Sequence, residues 1–302
     1  MRKLNIFLIM ILVACTLLSG TAVASEKPVI VQIAAGLNHS LALDEDGNVY
    51  AFGMGNDGQL GLGPSVYETN LPTKISGLPK IVSIAAGQNQ SFAIDENGDV
   101  WVWGRNNVGQ LGLGDAGWNT NRTIPELNPY LSDIVQITTG DSYTYAVDKK
   151  GHVYAWGFNH SGQLGFGDTN DRYIPEQISN LNGIKKISVG STNVTFAIDE
   201  NGDVWAWGSN ANGILGMEPY IYNVPTPTKV LALNNIVHIV VGSGVSFALA
   251  LDLDNNVWYW GNYLDGSTTF TPTLLLNGIS QISIGCVSIY DYVVAIDEEE
   301  YV

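Results

Sequence analysis

Cysteine is scarce: Cys15 and Cys286 are the two in 302 residues. They supply neither a disulfide framework nor a thiolate metal site. Cys286 follows Gly285 in an apolar segment and reads as a small core residue. Histidine is scarce too. His39, His152, His160 and His238 are the four, and no two have metal-ligand spacing. His39 stands where later copies of one pattern carry Gln90, Tyr143, Val194 and Val245, which marks a packing slot. Charged residues make up 14% of the chain, against roughly a quarter in an average soluble protein. The few charges are lopsided, 13 Lys+Arg against 29 Asp+Glu, for a net −16. Such a surface repels phosphate backbones and excludes nucleic acid as an expected partner. A partner should be neutral or basic. Uninterrupted helical periodicity is also missing, because Gly or Pro breaks every stretch after residue 30.

One long apolar run exists, at the start. Arg2 and Lys3 precede a mostly apolar stretch, Asn5 to Leu18, and Ala22-Val23-Ala24 places small residues at a cleavage site. Residues 1–25 therefore read as a signal peptide and 26–302 as the folded domain. Leu12-Val13-Ala14-Cys15 also fits a lipoprotein signal, with a lipid anchor on Cys15 as the alternative. Either way the protein is expected to be secreted or extracytoplasmic, at the cell surface or in the periplasm. No other segment is long and apolar enough to span a bilayer.

What the chain does have is glycine, tryptophan and repetition: 34 Gly and 8 Trp. An aromatic-Gly step recurs at Phe52-Gly53, Trp103-Gly104, Trp156-Gly157, Trp207-Gly208 and Trp260-Gly261, at spacings of 51, 53, 51 and 53. A second marker recurs at Gly36, Gly87, Gly140, Gly190, Gly242 and Gly285. A period near 50 built of short β runs predicts propeller blades. In Val100-Trp101-Val102-Trp103 the two indoles are two residues apart and share a sheet face. Seven of the eight Trp occupy such slots, where they should anchor blade-on-blade packing. Acidic turns such as Asp44-Glu45-Asp46-Gly47-Asn48 suit hairpins with a positive-φ Gly. They lack the ligand series of a calcium loop.

The pattern Val-Trp-Ala-Trp-Gly, then Asn, then Gly-Gln-Leu-Gly-Leu-Gly, then a Pro-containing strand, resembles the regulator-of-chromosome-condensation (RCC1-like) repeat family. Gly36-Leu37-Asn38-His39-Ser40 and Gly58-Gln59-Leu60-Gly61-Leu62-Gly63 carry it nearly intact. The likeness spans about residues 29 to 300, with degenerate copies at Gly213-Ile214-Leu215-Gly216 and after Asn262. The resemblance implies an all-β propeller, typically of seven blades. This chain holds five full units and an incomplete sixth, 22 strands by count. That fits a smaller irregular ring or a truncated seven-bladed one.

No Ser sits in a nucleophile elbow and no carboxylate pair is singled out. No catalytic residue, cofactor or metal is expected, and the chain reads as a non-enzyme. What varies from unit to unit is the loop before the Pro strand. These loops carry Tyr67, Trp118, Tyr173, Tyr220, Tyr222 and Phe270. Ringed aromatics among acids predict a partner-binding face. The resemblance points the same way, since bacterial propellers of this type include a secreted β-lactamase inhibitor that binds through face loops. Nucleotide exchange on a nuclear GTPase, another family activity, fits an exported chain badly. The expected function is an exported protein-protein interaction scaffold. The alternative is a cell-wall glycan binder or hydrolase acting at the propeller mouth.

Overall fold

The computed structural model describes residues 27–190, 192–217, 221–242, 247–262, 268–287 and 290–297. Among them lie five four-stranded antiparallel sheets and one two-stranded sheet. The first blade comprises β1 (Ile30–Ala35), β2 (His39–Asp44), β3 (Val49–Met54) and β4 (Glu68–Lys74). The second comprises β5 (Ile81–Ala86), β6 (Gln90–Asp95), β7 (Val100–Gly104) and β8 (Arg122–Leu127). The third comprises β9 (Ile134–Thr139), β10 (Tyr143–Asp148), β11 (Val153–Gly157) and β12 (Arg172–Gln177). The fourth comprises β13 (Ile184–Gly190), β14 (Val194–Asp199), β15 (Val204–Ser209) and β16 (Asn223–Lys229). The fifth comprises β17 (Ile236–Val241), β18 (Phe247–Asp252), β19 (Val257–Asn262) and β20 (Thr268–Leu276). The remaining hairpin is β21 (Ile279–Val287) with β22 (Tyr290–Asp297). The only other element among these residues is a single 3-10 turn, Ala211–Gly213, so no helix there is long and apolar enough to cross a membrane.

The blades are offset by two strands from the repeat read in sequence. Each aromatic strand shares its sheet with the two strands before it and the one after it, so a blade begins at Ile30 or Ile81, not at the aromatic run. Strand position explains composition. The second strands β6, β10, β14 and β18 are buried along their whole length, and the polar residues at their ends, such as Gln90, Ser91 and Asp95, are hydrogen-bonded. The fourth strands are largely exposed outer edges. Pro72, Pro125, Pro175, Pro225 and Pro272 sit there, where a missing N–H costs no ladder bond and discourages further pairing.

The aromatic-Gly step has a geometric cause. In every blade the register between third and fourth strands shifts at this step. Gly104 takes φ +100, and a Cβ on it would lie 2.5 Å from the Asn89 carbonyl. Only glycine meets both demands.

Five apolar clusters each join consecutive blades, the last joining the fifth blade to the β21–β22 hairpin. None of the five joins that hairpin to the first blade. Ile81, Ile134, Ile184 and Ile236, which open the first strands of later blades, are buried on the preceding blade; Ile30 is 38% exposed and Ile33 48%. The first strands line the middle of the molecule. Residues of β9, β13, β17 and β21 line an open depression of about 350 Å³. Polar side chains tie these strands together: Gln32 both donates to the Ile84 carbonyl and accepts from the Ile84 N–H, each at 3.0 Å.

Candidate recognition face

Topology gives the propeller two faces. One carries the acidic turns between second and third strands. The other carries the loops joining first to second strands and third to fourth strands.

The acidic turns are internally satisfied. Asp252 accepts the Asp254 and Asn256 N–H groups on Oδ1 and the Trp258 indole on Oδ2, each at 2.9 Å. Burial pushes this carboxyl up, but the donors of Trp258, Asn256 and Asp254 outweigh it and hold it below the usual carboxylate value. Asp95 and Asp199 repeat the arrangement with Trp101 and Trp205. The two indoles of each pair therefore differ. The first is half-buried and caps an acidic turn, whereas Trp103, Trp156, Trp207 and Trp260 are fully buried between blades. In the third blade His152 Nδ1 sits 2.8 Å from Asp148 in place of the indole.

His39 is a buried inter-blade contact, its Nε2 2.8 Å from Ser91 Oγ. Burial pushes its pKa down to about 4, so it is neutral. The same slot holds Gln90, which reaches Gly140 O, and Tyr143, whose hydroxyl donates to Gly190 O. His238 Nδ1 lies 2.5 Å from Lys186 Nζ on neighbouring first strands, and His160 is exposed.

On the loop face the repeated Asn and Gln fold each Gly-rich run. Asn106 Oδ1 accepts the Leu111 N–H and Gln110 Oε1 accepts the Val108 N–H, each at 3.0 Å. Asn106 also donates to Asp115 at 2.7 Å, and Asp115 pairs with Arg122 at 2.9 Å. Trp118 rides on this braced loop, 82% exposed, with the Arg105 guanidinium 5.9 Å from its ring centroid. Tyr222 and Tyr67 are 77% and 64% exposed. Tyr173 and Phe270 are less exposed because they lean on the preceding blade, against Gly109 and Gly213; a Cβ there would lie 2.5 and 2.2 Å from their rings. They thus pack as well as face solvent. Tyr220 and Cys15 lie outside the described residues, as does the side chain of Cys286, whose backbone belongs to β21.

Sequence reading missed one feature of this face. Gln88, Val108, Asp141, Ser142, Phe158 and Asn193, from loops of the second, third and fourth blades, line a recess of about 330 Å³. Asn193 takes φ +61, a left-handed conformation that Asn tolerates. Asp141 is half-buried, and burial raises its pKa. Among the described residues no group of three His, Cys, Asp or Glu side chains is arranged to hold a metal ion.

The match to known proteins agrees with this architecture. Residues 16–287 match the family model of the RCC1-like domain. The chain belongs to the RCC1-like family. Among curated members, it is 33% identical to the ultraviolet-B receptor UVR8 of Arabidopsis thaliana over 243 residues, 78% of this chain and 54% of that protein. It is 32% identical to the mitochondrial RCC1 domain-containing protein RUG3 of the same plant, over 80% of this chain and 55% of that one. The human probable E3 ubiquitin-protein ligase HERC4 is 35% identical over 62% of this chain and 18% of its own length. The chain thus spans about half, or less, of these RCC1-like relatives. Among solved structures, human WBSCR16 superposes with a TM-score of 0.75 at 18% identity, covering 90% of this chain and 75% of that one. Prp20p of Saccharomyces cerevisiae gives 0.72 at 24%, covering 84% and 66%. At these identities the likeness is one of fold. By their names the curated relatives include a receptor and a probable ubiquitin ligase.

Proposed function

We propose that this chain is an exported protein-interaction module that holds its partner on the loop face. The observation that carries the reading is Trp118, 82% exposed on a loop that Asn106, Asp115 and Arg122 hold in place. A large aromatic on a preordered loop loses little conformational freedom on binding and anchors interfaces well. Tyr67 and Tyr222 extend the same surface. Solved relatives support the use of such propellers for protein contacts: Prp20p is described with Gsp1p and histones as its binding partners, and yeast RCC1 in complex with Kap60. Export rests on the composition of residues 1–25, with lipidation at Cys15 as its variant. Glycan hydrolysis would need two acting carboxylates; the recess presents one, Asp141.

The test is affinity capture from culture supernatant and envelope extract on the immobilised protein. The control carries Tyr67→Ala, Trp118→Ala and Tyr222→Ala. A partner held by the parent and lost by the control supports the reading. Identical retention by both, or retention of glycan alone, refutes it.

A further inference from the structure

The recess on the loop face combines features that the repeat does not dictate. In the position after the marker Gly the successive units carry Leu37, Gln88, Asp141, Ser191, Ser243 and Cys286. Asp141 is the single acid of that series. In the position after the aromatic-Gly step they carry Met54, Arg105, Phe158, Ser209 and Asn262, and Phe158 is the single aromatic. Both exceptions fall in the third unit, and both line the same recess of about 330 Å³.

Asp141 differs from Asp115 and Asp168 in its partners. Asp115 is paired with Arg122 and Asp168 with Arg172, at 2.9 and 2.8 Å. Among the described residues no Lys, Arg or His forms an ion pair with Asp141. A half-buried carboxylate without a cation is costly, and the cost is removed when a cation arrives. The walls suit a long basic side chain. Val108 and Phe158 offer apolar surface to an aliphatic stem, and the Phe158 ring is held by packing against His160, with ring centroids 4.3 Å apart. Gln88, Ser142 and Asn193 add oxygens that can accept further N–H bonds.

We infer that this recess is a specificity pocket for a lysine or arginine side chain of a protein partner, with Asp141 as its counter-ion and Phe158 as its wall. The assignment rests on the loop-face reading above and gives that face a chemical preference. It suits a chain of net charge −16.

The probes are N-acetyl-lysine methylamide and N-acetyl-arginine methylamide, against their neutral counterparts, the norleucine and citrulline methylamides. Binding is followed by NMR at the Val108 methyl groups. Saturable shifts are expected with the cationic amides, and about ten-fold weaker binding for the neutral ones and for Asp141→Asn. Phe158→Leu should weaken binding by a smaller factor while leaving the fold intact, and it serves if Asp141→Asn does not fold. Equal affinity for neutral and cationic amides, full affinity in either folded variant, or no saturable shift overturns the assignment. The two proposals fail separately. Capture lost in the Tyr67/Trp118/Tyr222 control while Asp141→Asn binds the amides like the parent leaves the face and removes the pocket. Asp141-dependent amide binding with undiminished capture by the control leaves the pocket and removes the aromatic face.

Discussion

The indole N–H of Trp156 donates to the carbonyl of Gln110 at 2.9 Å, from the third blade to the Gly-rich loop of the second. Trp103 and Trp207 repeat it at the same distance onto Gln59 and Gln163, and Trp260 makes the bond to Ile214 at 2.6 Å. Each fully buried indole thus fills the space between blades and fixes a Gly-rich loop of the preceding blade. Trp156→Phe keeps most of the ring but removes the shorter of the two bonds to the Gln110 carbonyl, leaving the Thr144 hydroxyl at 3.2 Å. A loss of about 1–3 kcal/mol in urea unfolding is expected. Trp118→Phe, on the exposed loop, should change stability by less than about 0.5 kcal/mol.

His39 links stability to pH. Its ordinary value of 6.5 falls to about 4 in the fold. The unfolded chain takes up the proton below pH 6.5 while the folded chain resists until about 4. Stability therefore drops as pH falls through that window, by up to about 3 kcal/mol from this group. Gln90 fills the same slot one blade later with a non-titrating side chain. His39→Gln should flatten the slope between pH 6.5 and 4 relative to the parent, measured by denaturation across pH. An unchanged slope would show that other groups set it.

Asp252 titrates in a lower window. Its turn donors hold it below the usual 3.8, so the stability it adds is present above that value and is lost as pH falls below it. Asp252→Asn should cost about 1–3 kcal/mol at neutral pH and should lessen the acid sensitivity below pH 3.8. Thermal melts at pH 7 and pH 3 would check both effects.

Two glycine substitutions separate backbone strain from crowding. Gly63 takes φ +102, and a Cβ on it would meet nothing within 4 Å, so Gly63→Ala should cost only the conformational term, about 1–2 kcal/mol. Gly140 takes an ordinary φ, but a Cβ on it would lie 2.4 Å from the ring of buried Tyr143. Gly140→Ala should cost more than Gly63→Ala, because a ring hydrogen-bonded to Gly190 cannot give way. Chemical denaturation of both variants decides the order.

Tyr173 separates packing from recognition. Because its ring rests on Gly109 of the second blade, Tyr173→Ala should lower the melting temperature. Tyr67→Ala, Trp118→Ala and Tyr222→Ala, all strongly exposed, should leave it nearly unchanged. Equal melting of all four would place Tyr173 among the purely exposed aromatics.

The repeat of about 50 residues, the strand runs and the placement of seven Trp were legible in the sequence because each blade must solve the same local problem. A bulge at the aromatic-Gly step needs glycine, an outer edge tolerates proline, and a strand buried on both sides must be apolar at its centre with any polar group paired. Those demands act on neighbours in sequence, so they leave a periodic trace. The offset between repeat and blade was not legible, since strand runs alone do not say which neighbours share a sheet. Nor could sequence divide the aromatics expected in loops: Tyr173 and Phe270 lie on the fourth strands β12 and β20 and lean on glycines of another blade, while Trp118 and Tyr222 face water. The recess around Asp141 joins loops from three blades. Its trace in the sequence is a departure from the repeat at two separate positions in one unit. Only the stacking of blades, which depends on contacts about 50 residues apart, brings those departures together at one place.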